Sequence, residues 1–398
     1  MAGVTLHTRS PLPGAIAARF REEFGGEAPR KFFAPGRINL VGAHLDYNGG
    51  DVLPMAVDRG IYVAARLRDD GRIRLVSLDQ EGGIDLRTAD IGTRARRAWG
   101  WAAYPLGIWR EFRREIETDK GFEAVYAGDV PMASGMSSSA AIEVATALAL
   151  DALHDAGLER ERLARFAHTA ENEFVGVRCG IMDQYASALG LPGHVLWLHC
   201  AGPRWEHVPF DPARCEVLVM DTRKPRALAD TRFNERVAEC AAAHAVLRDR
   251  VRDLPHLAAY SEADLEACRD VLDEVLYLRA RHVVTEMKRI ANGAAALRAG
   301  DYRGLGAALD ASHRSTATDY AVSCPELDVI TDAARACDEV FGARLTGAGF
   351  GGCAIALIEP GSSGQVTEHV GRVFHERFGV EPEFDLLHVG DGPGELES

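Results

Sequence analysis

The stretch whose folding is most constrained is Gly128-Asp129-Val130-Pro131-Met132-Ala133-Ser134-Gly135-Met136-Ser137-Ser138-Ser139-Ala140-Ala141. It runs without a break into an Ala- and Leu-rich segment, so a small-residue loop must feed straight into a helix, read over 137–154. Small side chains let the backbone come close to a ligand. Several N–H groups at such a helix start face outward, where the helix dipole favours an anion. Three serines at that start cap the helix, bind phosphate oxygens or ligate Mg²⁺; a serine-capped helix after a loop is the plainer reading. No G-x-x-x-x-G-K-[ST] occurs anywhere, which excludes a Walker P-loop.

Charge decides which anions are plausible. The 398 residues carry 45 Lys+Arg against 59 Asp+Glu, a formal net charge of −14. That balance argues against general nucleic-acid binding, which needs a basic patch. It leaves a small anionic ligand open, because a pocket's local field can oppose the net charge. No apolar run approaches the roughly 20 residues of a membrane span. The longest, at 142–150, is Ala-rich and contains Glu143. The N-terminus lacks the apolar core of a signal peptide. Eight scattered cysteines form no C-x-x-C pair, so isolated buried thiols are expected rather than a metal cluster or redox pair. These features predict a soluble, cytoplasmic protein with neither nucleic acid nor membrane as partner.

Length and pattern predict an α+β protein of two lobes. Strands are read at 30–34, 52–67 and 73–78, and helices at 137–154 and 159–174. In the second helix Leu163, Phe166, Ala170 and Phe174 make one apolar stripe at spacings of three and four. A strand-like stretch at 194–205 precedes a polar passage at 206–214. After Asp221 the pattern turns to long amphipathic helices at 227–250, 261–292 and 301–315. Strands return at 343–346 and 353–358, followed by a helix at 366–378 and a last segment at 382–389. The boundary falls near 200–215, giving lobes of 1–205 and 206–398.

Two further glycine-rich segments stand out. Leu345-Thr346-Gly347-Ala348-Gly349-Phe350-Gly351-Gly352-Cys353 formally contains G-x-G-x-x-G at Gly347, Gly349 and Gly352. A dinucleotide site requires a helix next, whereas Cys353 to Ile358 reads as a strand. The segment is therefore a strand–loop–strand whose bare backbone packs against something, with a structural turn as the plainer reading. The other segment, Ala34 to Gly50, places Arg37, Asn39, His44 and Asp46 within ten residues between glycines. Such a concentration of hydrogen-bonding groups suits a polyhydroxylated ligand, and equally fits a solvated loop.

Together, in this order, the three segments resemble the three motifs of the GHMP small-molecule kinases. The first, Gly36-Arg37-Ile38-Asn39-Leu40-Val41-Gly42-Ala43-His44-Leu45-Asp46-Tyr47-Asn48-Gly49-Gly50, is similar to the galactokinase signature G-R-V-N-L-I-G-E-H-T-D-Y-N-G-G. The match continues near 128–144, 170–190, 221–240 and 345–356, so it covers the chain in order. The resemblance implies the two-lobe GHMP kinase fold, with the active site in the cleft between lobes, and ATP-dependent phosphorylation of a sugar by a monomer or weak oligomer. It implies that Ala133, Ser134, Gly135, Met136, Ser137, Ser138 and Ser139 cradle ATP phosphates. Ser139 and Glu171 would hold Mg²⁺, a hard cation that takes few protein oxygens beside substrate phosphates. Asp183, in Gly180-Ile181-Met182-Asp183-Gln184-Tyr185, matches the catalytic aspartate, which accepts or orients the proton of the anomeric C1 hydroxyl during in-line attack on the γ-phosphate. Arg37 matches the arginine that keeps this aspartate ionised and stabilises charge on the transferring phosphoryl group. Ala43, His44, Leu45, Asp46 and Gly180 fall at the sugar, and Gly347, Gly349 and Gly351 in the third motif. By residue type alone Ser139 also fits a cap, Glu171 a solvated helix face, and Arg37 with Asp183 a surface ion pair.

The chain departs from the family at the sugar. The family's E-H-T-D reads Ala43-His44-Leu45-Asp46, so the glutamate that contacts the sugar near O6 is missing. The tyrosine of the family's Y-N-x-R-R segment falls at Phe233. Losing a buried acceptor and a phenol weakens hydroxyl readout. Removing a negative charge beside C6 also removes the repulsion that excludes a C6 carboxylate. Galacturonokinases are similar here, carrying Gly-Ala-His-x-Asp; Arg178 and Arg232 then stand as partners for a carboxylate, or as solvated residues. Galactose is the expected acceptor and galacturonate the alternative. A catalytically silent sugar sensor is disfavoured because Ser137 to Ala141 and Asp183 are present, and a mevalonate or homoserine kinase by A-H-x-D-Y-N-G-G and C-G-I-M-D-Q.

Overall fold

The computed structural model describes residues 5–6, 10–130, 135–177, 179–225 and 229–397. Its larger sheet has seven strands in the order Thr5–Leu6, Gly394–Leu396, Arg30–Asn39, Pro54–Arg68, Gly121–Gly128, Arg72–Ser77 and Ile84–Arg87. Strand alternation explains why this sheet is covered on both faces. Along Pro54–Arg68, Val63 and Ala65 enter the main core while Tyr62 and Ala64 face the other way, as a period of two demands. Arg30–Asn39 divides likewise, with Phe32 and Ala34 on one face and Phe33 on the other. The second face is sealed by helix Leu12–Phe24 through Ile16 and Phe20. On the first, helix Ser138–Leu153 is buried along most of its length, and its alanines let it lie close against Arg30–Asn39 and Pro54–Arg68. Helices Ala103–Ile116, Arg160–Thr169 and Met182–Leu189 complete that side.

A second, four-stranded sheet is antiparallel, in the order Val340–Leu345, Cys353–Ile358, Glu216–Asp221, Glu383–Leu387, and a third joins Asp51–Val52 to His194–His199 and Arg204–Pro209. Helices Tyr302–Thr318 and Pro325–Arg335 lie on the four-stranded sheet; Glu274–Ala299 packs on the former and Ala229–Arg250 on Glu274–Ala299. This is the expected α+β, two-lobed architecture. The last strand, Gly394–Leu396, crosses back into the larger sheet beside Arg30–Asn39.

Local competition moves several elements from where periodicity puts them. The stretch at 194–205 is a hairpin, His194–His199 with Arg204–Pro209, so half of the polar passage is an edge strand whose Val208 is buried. The helix read at 261–292 is two, Glu262–Glu266 and Glu274–Ala299. Ser261 and Asp273 each accept a backbone N–H from the new first turn, and such caps favour a restart over continuity. After Thr169 the next helix turns π over Ala170–Val175, the turn that carries Glu171. Helices Leu12–Phe24, Ala103–Ile116 and Met182–Leu189 and strand Gly121–Gly128 were not anticipated.

Helix Tyr302–Thr318 touches its strand backbone to backbone. A Cβ on Gly306 would lie 1.9 Å from the Phe341 carbonyl oxygen, and one on Gly342 2.2 Å from that of Gly306. In an open helix Gly→Ala stabilises by ~1 kcal/mol. Here overpacking, at about 1–3 kcal/mol, wins. Gly306→Ala is therefore expected to lower the thermal and urea midpoints; an unchanged or raised midpoint would mean that this contact does not limit the lobe.

Candidate active site

Arg37 reaches the site because its strand bulges. The register of Arg30–Asn39 against Pro54–Arg68 slips between Pro35 and Arg37. A Cβ on Gly36 would lie 2.7 Å from the Met136 carbonyl oxygen, so glycine admits the serine-rich loop to the strand. The Arg37 N–H donates to that carbonyl at 3.1 Å. Its guanidinium donates to the Gly135 carbonyl at 2.5 Å and to Asp183 Oδ1 at 2.7 Å from Nε and 2.6 Å from Nη2. Asp183 enters from the first turn of Met182–Leu189, and its Oδ2 accepts from the Ser137 hydroxyl. Ser137 has a left-handed φ of 54° and its hydroxyl does not cap helix Ser138–Leu153. The Arg37 and Asp183 side chains are 8% and 25% exposed, so they are not a surface pair.

Beside Asp183 lies a group of carboxylates. Glu171 is buried rather than on a solvated face, and it accepts from Gln184 Nε2 at 2.5 Å. Burial and the charge of Asp183 raise its pKa, against the pull of the Ser139 hydroxyl. Glu143 is wholly buried beside Glu171 and Gln184. Burial, then the charge of Glu171, holds it well above the usual carboxylate range. Among the described residues no three His, Cys, Asp or Glu side chains converge into a metal cage. The donor set fits Mg²⁺ held by few protein oxygens. The crowding of Glu143, Glu171 and Asp183 marks a local excess of acid that a divalent cation would relieve.

The sugar-motif loop is braced from the other lobe. His44 adopts a φ of +61°. Its Nδ1 pairs with the Tyr47 hydroxyl at 2.9 Å, which meets the Tyr320 hydroxyl at 2.8 Å. The rings of Tyr320 and Phe233 lie 4.8 and 5.8 Å from that of His44. Burial, then the nearby His282 and Arg344, pushes His44 down to about 3, so the ring is neutral. Its other side faces the Ala348 backbone. Asp46 abuts Gly180, where a Cβ would lie 2.0 Å from Asp46 Oδ2. Burial and the charge of Asp183 push Asp46 up to about 6. Ala43, Leu45 and Met136 are buried, so these positions offer backbone; Ser138 is exposed at the helix start.

In the third motif the bare backbone packs on the protein itself. A Cβ on Gly349 would meet the Val322 carbonyl oxygen at 2.2 Å, and one on Gly351 that of Lys224 at 2.9 Å. Gly347 has a φ of 75°, and the adjoining Ala348 backbone belongs to the surroundings of His44. Arg232 is exposed and lies over the Phe350 ring at 5.3 Å. Ala133, Ser134 and Arg178 lie outside the described residues. Sequence reasoning missed Tyr47, Gln184, Glu143 and Tyr320 as members of the site. Tyr47 and Gln184 adjoin Asp46 and Asp183, and Glu143 is the one charge in an apolar run; Tyr320 has no local signal.

Family models for the GHMP kinases N terminal domain, the galactokinase galactose-binding signature and the GHMP kinases C terminal match residues 103–191, 18–67 and 294–376. Galactokinase from Exiguobacterium sibiricum is 38% identical over 379 residues, 95% of this chain and 97% of that protein. The chain belongs to the galactokinase family of the GHMP kinases. Galactokinase from Streptococcus thermophilus is also 38% identical, over 96% of this chain and 99% of its own. The crystal structure of Lactococcus lactis galactokinase complexed with galactose matches with a TM-score of 0.91 at 36% identity, covering 97% of this chain and 100% of that one. Methanococcus jannaschii mevalonate kinase shares the fold, with a TM-score of 0.64 at 18% identity, covering 91% and 98%. No helix among the described residues is long and apolar enough to cross a membrane.

Asp46 gives the site a pH-dependent stability. Its pKa rises from an ordinary 3.8 to about 6, so the stability it contributes is present below about 3.8 and lost as pH rises through about 6. Asp46→Asn removes that titration. The unliganded variant is expected to melt above wild type by a larger margin at pH 8 than at pH 5, read by differential scanning calorimetry. A margin that is constant or shrinks with pH would contradict the assignment.

Proposed function

We propose that this chain transfers the γ-phosphate of ATP to the anomeric C1 hydroxyl of galactose. The observation that carries the reading is Asp183, held on one oxygen by Arg37 and on the other by Ser137, where the serine-rich loop meets the strand that leads into the sugar motif. A carboxylate gripped on both oxygens presents its remaining lone pairs in a set direction. It takes or orients the proton of the C1 hydroxyl as that oxygen attacks in line. Arg37 is 8% exposed, so its charge is weakly screened where charge builds on the phosphoryl group. Gly135 to Ser139, leading into helix Ser138–Leu153, offer N–H groups to the phosphates, in the same run of sequence as Ala133 and Ser134, which lie outside the described residues. Ser139 and Glu171 would hold Mg²⁺, which neutralises phosphate charge when bound. Asp46 serves as an acceptor for sugar hydroxyls, with the neutral ring of His44 beside it. Gly180, Phe233 and the backbone of Ala43 and Leu45 line the same loop; the two lobes enclose the cleft, with the division expected at 205/206 moved past strand Arg204–Pro209 and Gly394–Leu396 returned to the first lobe. Relatives named galactokinase at 36% and 38% identity, one of them solved with galactose, favour galactose over galacturonate.

With ATP, galactose and galacturonate assayed side by side, C1 phosphate is expected from galactose. Product from neither sugar would sink the proposed reaction, and product from galacturonate alone would reverse the choice of sugar. Asp183→Asn and Arg37→Ala are each expected to lower kcat by roughly 10²–10⁴ while the protein stays folded by circular dichroism. Substantial turnover in Asp183→Asn would remove Asp183 from the role of base.

A further inference from the structure

Behind the sugar-motif loop, on helix Glu274–Ala299, sit two wholly buried polar side chains one helical turn apart, His282 and Glu286. Glu286 Oε1 accepts from the Gly42 N–H at 3.1 Å, the Ala43 N–H at 3.3 Å and the Ser312 hydroxyl at 2.5 Å. Its Oε2 accepts from Arg289 Nη1 at 2.6 Å. His282 Nε2 lies 3.0 Å from the Ala43 carbonyl oxygen. A carbonyl only accepts, so Nε2 carries the proton; the other ring nitrogen, Nδ1, pairs with the Ser315 hydroxyl at 2.9 Å, and burial lowers the ring's pKa. Both the N–H and the C=O of Ala43 are thus held by side chains from the other lobe. The spacing i, i+4 makes this possible, because it puts both groups on one helix face.

The residue that follows this doubly held unit is His44, at a φ of +61°. A bulky residue there costs on the order of 1 kcal/mol or more and persists only where its surroundings over-determine it. We propose that His282 and Glu286 are positioning residues for the sugar site: by clamping Ala43 they hold His44 in this conformation and set the approach of Asp46. The inference rests on the sugar-kinase reading above. The Ala43 side chain adds no polar group, so the backbone is the handle by which the loop is fixed. Damage to the clamp falls on the sugar and spares ATP, because the serine-rich loop is tied to Arg37 instead.

Two variants separate the clamp from general support of the fold. In Glu286→Gln the amide can face the loop N–H groups with its oxygen or face Arg289, but not both, at nearly unchanged volume. In His282→Leu the donor to Ala43 is lost, and His282→Gln, which can donate again, is the rescue. Galactose affinity is measured by isothermal titration calorimetry, where misfolded protein lowers the stoichiometry and leaves the affinity of the folded fraction. Glu286→Gln and His282→Leu are expected to weaken galactose binding and raise its KM about tenfold, with kcat and the KM for ATP within about threefold. His282→Gln should recover most of the loss. Unchanged galactose affinity in Glu286→Gln, or equal changes in the KM for sugar and for ATP, would overturn the clamp. The same holds whether or not His282→Leu folds, since Glu286→Gln alone decides it. Wild type is read first with galactose and galacturonate, and the clamp is judged on whichever it phosphorylates. If it phosphorylates neither, the kinase reading falls and the clamp with it.

Discussion

The pairing of Arg37 with Asp183 is the contact on which the rest of the site depends. A pair this enclosed loses much of its Coulombic gain to desolvation, so its value lies in position rather than stability. Three distant pieces of chain meet through it: a bulged strand, a small-residue loop and the start of helix Met182–Leu189. Each piece has a local feature that permits the meeting. Gly36 lets the Met136 carbonyl approach, Ser137 takes a left-handed turn that frees its hydroxyl from capping, and Asp183 stands in a first turn where a carboxylate suits the helix dipole. The negative charge of Asp183 then spreads through the neighbourhood. Beside burial, it raises the pKa of both Asp46 and Glu171, so these two carboxyls are electrostatically linked through one residue.

The residues legible in the sequence are those whose spacing is local. The serine-rich run entering a helix, the strand–loop–strand around Gly347 to Gly352 and the polar cluster from Arg37 to Asp46 each lie within a single short stretch. Their order along the chain was enough to reach the family. The features that escaped depend on partners far away in sequence. The bulge at Gly36 answers to a carbonyl about a hundred residues on, and the brace on the sugar loop comes from His282, Glu286 and Tyr320. Nothing near those three marks them as functional, because on an amphipathic helix a buried histidine or glutamate looks like any other break in the apolar stripe. The split of the helix read at 261–292 failed for a different reason. Periodicity persists across the break, and only the capping preference of Ser261 and Asp273 interrupts it.

The departure at Ala43 takes on a different meaning once the loop is seen in place. From the sequence it is a lost carboxylate beside the sugar. In the fold it is a buried position whose peptide is gripped by a carboxylate and an imidazole of the opposite lobe. The serine-rich loop and the sugar-motif loop are thereby held by different means. The serine-rich loop is fixed within its own lobe, through the backbone and guanidinium of Arg37. The sugar loop is fixed across the cleft, through His282, Glu286 and the Tyr47–Tyr320 hydroxyl pair. Contacts from the far lobe therefore reach the loop at Ala43 and Tyr47, while Arg37 and Ser137 are joined through Asp183. On the proposed reading, the loop assigned to the sugar leans on the far lobe at more points than the loop assigned to phosphate.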